Sequence, residues 1–340
     1  STMKEGDYFP SGRELAKRYN IAYMTARRVM DELMAEGIIG KGKGERARLA
    51  RIPKVAVRDR VVSQKGTVLV LSTWQIKNSD SFITPIVKVM TEMLRGKGYV
   101  TRVSALSGEP SLPRILEEEL NSDEADGALV FGLYSEATAR VIAKKDIQAV
   151  HLDFTPSTVS ADSVVTDNKA IAGMVMNHLS QLGHKRISFV GHYAAGHPDD
   201  DAVELEYYWQ RHVNRIGGEG KAGYVSAKKK NLEQVMEEIM GGMPTALFFS
   251  NKHITEQAVR LLKHRGLKIP QDISIVTIGG ALGEDETRFT AVHIDWYEMT
   301  RLAVNRLEEV ITGKAKHNVR IAHVGGFADR GSSCPPKQRD

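Results

Sequence analysis

From Thr67 to Ile278, short β-branched runs alternate with amphipathic stretches of helical length, and this alternation constrains the fold more than any other feature of the chain. Strands are predicted at 67–72 (TVLVLS), 99–105, 127–131 (GALVF), 149–153 (AVHLD), 186–191 (RISFVG), 223–226, 246–249 and 274–278. Helices are predicted at 84–96, 110–121, 135–144, 170–182, 202–213, 232–240 and 255–265. Strands joined through a helix must run parallel, because the crossover returns the chain to the same end of the sheet. Two successive sets predict an α/β body of two similar lobes, each a doubly wound parallel sheet. The lobes are expected at about 67–166 with 294–316, and 167–293 with 317–333. A ligand is expected where the C-terminal ends of the two sets of strands face each other.

The body leaves about fifty residues before it, too few for a second body and enough for a small head. Charge separates the two parts. Residues 1–60 hold 14 Lys or Arg against 8 Asp or Glu, a net +6, whereas the other 280 carry 33 against 34, a net −1. A basic head on a neutral body is the asymmetry expected of a nucleic-acid-binding module. Hydrophobic residues make up 41% of the chain, and no apolar run approaches the roughly 20 residues needed to cross a bilayer. The polar first ten residues do not read as a secretory signal, and one cysteine, Cys334, excludes an internal disulfide. A cytoplasmic location is expected.

Within the head, Ser11 followed by Glu14 predicts a capping box opening a helix that ends at Asn20. After the Ile21-Ala22 turn, a second helix is expected from about Tyr23 to Glu36, stopped by Gly37. Met24, Val29, Met30, Leu33 and Met34 form its predicted apolar face, and Tyr23, Thr25, Arg27 and Arg28 its outer face. Two helices across a short turn fit a helix-turn-helix, whose second helix enters the major groove. Ile38-Ile39 and Arg46–Ala50 are predicted as the strands of a wing around the basic tip Lys41–Gly44. Residues 53–66 are read as a linker.

The run Phe9–Ile39, FPSGRELAKRYNIAYMTARRVMDELMAEGII, resembles the winged helix-turn-helix of GntR-family regulators, whose pattern is LPSERELA…VSRMTVRRALDELAAEGLI. The resemblance implies DNA contacts from Arg13, Thr25, Arg27 and the wing at Lys43 and Gly44. Arg27 has the fork geometry for guanine O6 and N7, while Ser11, Thr25 and Arg28 suit phosphate oxygens. Three departures stand out. Ala22-Tyr23 replaces the usual Ser-Arg, so the contact made from Tyr23 differs; Gly12 replaces a Glu; and the helix that precedes this segment in the family does not appear in the sequence.

The body carries a second resemblance. Thr166–His192 (TDNKAIAGMVMNHLSQLGHKRISFVGH), Pro244–Lys252, Leu262–Gly280 and His293–Gly313 resemble, in order and spacing, the type I periplasmic-binding-protein-like domain of LacI-type repressors. A GntR-type head on such a body is similar to arabinose-responsive repressors. The combination implies a homodimeric, ligand-responsive transcription repressor that binds a palindromic operator in double-stranded DNA and senses a small molecule, expected to be a sugar. By matching position, Phe82, Phe131, Asp153, Tyr193, Asn251 and Trp296 are the implied effector-binding residues. An aromatic face with short amides and carboxylates suits a pyranose. Here too there are departures: Val203 and Leu205 stand at the expected positions of ligand-gripping arginines, Gly279-Gly280 replaces an Asp pair, and Lys252 replaces an Asp.

The remaining constellations are weaker. His192, His197 and Asp199–Asp201 have loop spacing without the paired ligands of a zinc motif, and read as a solvated acidic loop. The glycine-rich runs lack the Gly-Lys-Ser/Thr ending of a phosphate loop. No nucleophile–base arrangement, metal site or cofactor motif is found, so no enzyme is expected. The alternative is a sugar-binding protein whose head no longer binds DNA.

Overall fold

The computed structural model describes residues 6–19, 23–35, 37–40, 47–50, 65–73, 83–106, 111–122, 125–145, 147–193, 200–226, 229–279 and 288–337. The chain forms two compact units, the first ending at Lys65 and the second starting at Gly66.

In the first unit, α1 (Gly12–Tyr19) and α2 (Tyr23–Ala35) are followed by β1 (Ile39–Gly40) and β2 (Arg48–Leu49), which pair antiparallel with Ile39 opposite Leu49. The N-terminal residues add a further layer to this ribbon: Gly6 N–H donates to Leu49 O, Leu49 N–H to Asp7 O, and Phe9 N–H to Ala47 O. Arg48 stacks its guanidinium 4.0 Å from the Tyr8 ring centre and donates to Gly6 O. This third layer has no hydrophobic period and was not foreseen. Ile39, Ala47 and Leu49 form the small core, with Phe9, Met30, Leu33 and Met34 packed against it. Only part of the predicted apolar face of α2 turns inward. Met24 and Val29 are exposed, and the small Ala26 is fully buried instead, one turn before Met30. Ala26, Met30 and Leu33 form one helical face, with Val29 at its flank and Met24 on the opposite side.

The second unit holds two sheets, each of six described strands. The first runs in the order β4 (Tyr99–Leu106), β3 (Gly66–Thr73), β5 (Gly127–Phe131), β6 (Ala149–Leu152), β7 (Asp162–Thr166) and β13 (Arg320–His323), all parallel. The second runs β9 (Ala222–Ser226), β8 (Ile187–Tyr193), β10 (Ala246–Phe249), β11 (Ser274–Gly279) and β12 (Thr290–His293), parallel, with β14 (Phe327–Ala328) antiparallel at its edge. Helices α3 (Ile83–Gly96), α4 (Leu112–Ser122), α5 (Glu136–Lys144) and α10 (Trp296–Ile311) serve the first lobe. Helices α6 (Asn168–Gln181), α7 (Asp200–Arg215), α8 (Leu232–Met240) and α9 (Lys252–His264) serve the second.

The central strands are buried on both faces; all five residues of β5 and all six of β11 are buried. That pattern is what parallel sheets covered by helices require. One lobe boundary is corrected. Residues 317–323 were expected in the second lobe, but β13 pairs with β7 in the first, and the chain changes lobe only between β13 and β14. Gly66 also lies in β3 rather than in the linker.

A buried ion pair fixes this edge. Arg306 on α10 donates from Nε to Asp162 at 2.7 Å, with the two side chains only 10% and 2% exposed. The same carboxylate accepts from Val319 N–H, and Arg306 also donates to Glu309. Helix, strand and returning chain thus share one carboxylate. Asp162→Ala removes the buried partner of the Arg306 guanidinium, leaving it the more exposed Glu309 as its counter-ion, and is expected to lower stability by up to about 3 kcal/mol, read from urea unfolding.

Candidate functional site

The surface of the head begins with a capping box. Ser11 N–H donates to Glu14 Oε2 at 2.7 Å, and Glu14 N–H to Ser11 Oγ at 3.3 Å. Ser11 Oγ accepts in this capping box at the start of α1, which leaves its O–H as a donor. Arg13, Tyr23, Thr25, Arg27 and Arg28 are all exposed. Arg28 pairs with Glu32 at 3.3 Å, one turn on. The two departures from the family pattern meet in space: a Cβ on Gly12 would lie 3.2 Å from Cε2 of Tyr23. Lys43 and Gly44 lie outside the described residues.

In the body, three segments cross between the lobes, and each leaves the C-terminal end of a parallel strand: β7 into α6, β12 into α10, and β13 into β14. They are bonded to one another. Asp167 N–H donates to His323 O, and His293 N–H donates to Gly326 O, both at 2.8 Å. Gly325 has no room for a side chain, since a Cβ would sit 1.9 Å from His293 O. Two crossings end in the same device. Asp167 caps α6 through Ala170 N–H and Asp295 caps α10 through Glu298 N–H, with nearly equal backbone angles (φ −85, ψ 82 and φ −85, ψ 79).

Around the strand ends the predicted effector residues take different roles. Asp153 follows β6 with φ +65, an uncommon conformation for a non-glycine residue, and accepts from Tyr134 Oη at 3.1 Å. Phe154 packs edge-on to both Tyr134 and His151. Tyr134 and Phe154 were missed, because neither lies in a periodic segment; their only signal is position, two to three residues past a strand end. Phe131 and Trp296 are brought together with ring centres 5.7 Å apart, and both are buried, at 0% and 6% exposure. Asn251 caps α9, accepting from Ile254 N–H at 3.0 Å, so its Oδ1 is occupied by the helix. Phe82 and the side chain of Tyr193 lie outside the described residues.

The helix after β8 shows the largest change from expectation. Leu205 faces the lobe core beside Trp209, so it does not occupy a ligand-gripping position, and Val203 is exposed. Asp201 and Glu204 turn instead toward the crossing. Asn168 Nδ2 donates to Asp201 Oδ1 at 2.6 Å and to Glu204 Oε2 at 2.9 Å, and Thr166 Oγ1 donates to Asn168 Oδ1. Asp201 is thus a half-buried member of a network rather than part of a solvated loop. Arg320, on the first lobe's sheet, reaches Glu204 on the second at 3.5 Å. The remaining residues of that loop, His197 and Asp199, lie outside the described residues.

Comparison with known proteins agrees with this geometry. A periplasmic binding protein-like domain model matches residues 176–333. A LacI family transcriptional regulator from Bifidobacterium animalis superposes with a TM-score of 0.67 at 17% identity, covering 80% of this chain and 98% of that one. The dimeric Lac repressor gives 0.65 at 19%, covering 80% and 100%. The fold is that of a type I periplasmic binding protein. The arabinose metabolism transcriptional repressor of Geobacillus stearothermophilus is 25% identical over 297 residues, 81% of this chain and 76% of its own length. The repressor MelR of Bacillus subtilis is 26% identical over 209 residues, 56% and 58% of the two chains. These relatives are transcriptional regulators rather than enzymes, and no described helix is long and apolar enough to cross a membrane.

Within β6, two residues before Asp153, His151 is 2% exposed and its Nδ1 has no hydrogen-bond partner among the described residues. Burial pushes its pKa down to about 4, against the opposing pull of the Glu136 carboxylate. The folded ring therefore stays neutral where the unfolded one would be charged. Its stabilisation is present in full above the unfolded value of 6.5 and is lost as pH falls from 6.5 toward 4. His151→Phe is expected to flatten this part of the stability profile, measured as the difference in urea midpoint between variant and parent at pH 7 and pH 4.5.

Proposed function

We propose that this protein is a ligand-responsive transcription repressor. Its head is a GntR-type winged helix-turn-helix that binds DNA, and its body senses a small molecule, of the sugar class, in the cleft between the lobes. The observation that carries this reading is the pairing of a basic two-helix head with a body whose crossings make it a hinged binding domain. In the head, α2 presents Thr25, Arg27 and Arg28 outward, and the antiparallel β1–β2 ribbon occupies the place of a wing. In the body, Asp153, Tyr134, Asn251 and Trp296 supply the carboxylate, hydroxyl, amide and aromatic groups that recognise a polyhydroxylated ring. The relative named for arabinose metabolism, and a LacI family regulator from Enterococcus faecium with bound ribose, support a sugar.

A homodimer placing two heads on a palindrome, with half-sites about one helical turn apart, fits this architecture. Effector binding closes the lobes and changes the fit of the heads to the operator, a coupling typically of about 1–3 kcal/mol. The protein acts in the cytoplasm, where its DNA target lies.

Fluorescence anisotropy against duplexes selected from a random pool, over a salt series, tests the reading. Selective binding that weakens steeply with salt supports it, and equal binding to selected and scrambled duplexes sinks it. Arg27→Ala is expected to weaken binding by about 1–3 kcal/mol and to relax the preference at one position of each half-site. Arg13→Ala is expected to weaken binding uniformly across sequences and to reduce the salt slope by about one.

A further inference from the structure

Resting on the DNA-binding reading above, we infer that Met24 is a sequence-reading residue that recognises thymine through its C5-methyl group in the major groove.

Met24 is 64% exposed, the largest value among the exposed large apolar side chains of the described residues. It sits in the first turn of α2, on the side opposite Ala26, Met30 and Leu33, which pack inward. Thr25 and Arg28 share that outward side. The N-terminal residues of a reading helix are the ones that touch base edges. The residues around Met24 are more constrained. Tyr23 lies against Gly12, where a Cβ would meet its ring at 3.2 Å, and Arg28 is tied to Glu32. Met24 is an unbranched apolar side chain exposed in the first turn of the helix.

Chemistry selects the partner. The net +6 of residues 1–60 attracts phosphate but carries no sequence information. Among the groups displayed in the major groove, the thymine C5-methyl is the apolar one. A thioether cannot donate a hydrogen bond and accepts only weakly, so the oxygens, nitrogens and amino groups of the other bases give it little. A flexible chain of two methylenes, a polarisable thioether sulfur and a terminal methyl can cover another methyl group and remove it from water.

The test uses the preferred duplex selected with the wild-type protein, in which each thymine in turn is replaced by uracil. The replacement removes only the methyl group. For the wild type, one replacement per half-site is expected to weaken binding about three- to fivefold, the effect of one buried methyl-sized group. Met24→Ala is expected to bind the thymine and uracil duplexes equally, with an unchanged salt slope. Met24→Gln, which keeps length but not apolarity, should behave the same way, and thermal melts of both variants should match the parent because the side chain is exposed. Wild-type indifference to every replacement, or variants that still distinguish thymine from uracil, overturns the assignment. Failure of the wild type to select any duplex overturns the DNA-binding reading itself, and is seen before any variant is made.

Discussion

The parallel pairing of strands is the constraint from which the rest of the body follows. A parallel sheet cannot be built from hairpins, so every connection must climb over a face of the sheet and re-enter at the same end. Helices consequently cover both faces, the strands become continuous apolar runs such as β5 and β10, and the loops that leave the C-terminal ends of the strands lie side by side. The crossings between lobes leave from those same ends. One geometric rule therefore places the crossings and the loops at the strand ends together.

In the head, by contrast, individual contacts matter more than architecture. Among the described residues its buried apolar side chains are few (Leu15, Ala26, Ile39, Ala47 and Leu49), so ordering depends on local devices. Ser11 and Glu14 close the start of α1; Gly37 and Ile38 donate back to Met34 and Leu33 to close α2; residues 6–9 lie along β2 and add backbone bonds to an otherwise two-stranded ribbon. Each secures a small contribution, of about 1 kcal/mol for a cap. Together they hold α2 at a fixed angle to the ribbon, which is what a surface meant to match a groove needs.

Much of this was legible in the sequence, for identifiable reasons. β5, α8 and β10 were expected with the bounds they have, since each is a dense run of one period with a clear boundary residue on either side. β7, β12, β13 and β14 were missed. They are two to five residues long, and β13 alternates exposed and half-buried positions, so no apolar run announces them. Their existence depends on pairing partners far away in the chain, a fact that periodicity does not encode. The same limit explains the candidate site. Asp153 was found because it ends a predicted strand, but Tyr134 and Phe154 reach it from irregular segments. Leu205 was misassigned because the register of α7 decides whether a position faces core or cleft. One step along that helix exchanges Leu205 for Glu204, an apolar core side chain for a carboxylate at the crossing.

The ion pairs show how such a body can be both firm and mobile. Arg306 and Asp162 are buried within one lobe, where losing a partner is costly, so this pair resists any rearrangement of α10 against β7 and β13. Arg320 and Glu204 span the two lobes at 3.5 Å with side chains 45% and 36% exposed. An exposed pair of that kind contributes about 0–1 kcal/mol, because water and salt replace most of the attraction. The strong interaction is placed where the structure must not move, and the weak one where the lobes meet. A ligand whose differential affinity for the closed arrangement is only a few kcal/mol can then decide the position of the lobes, which is the condition for a small molecule to act as a switch.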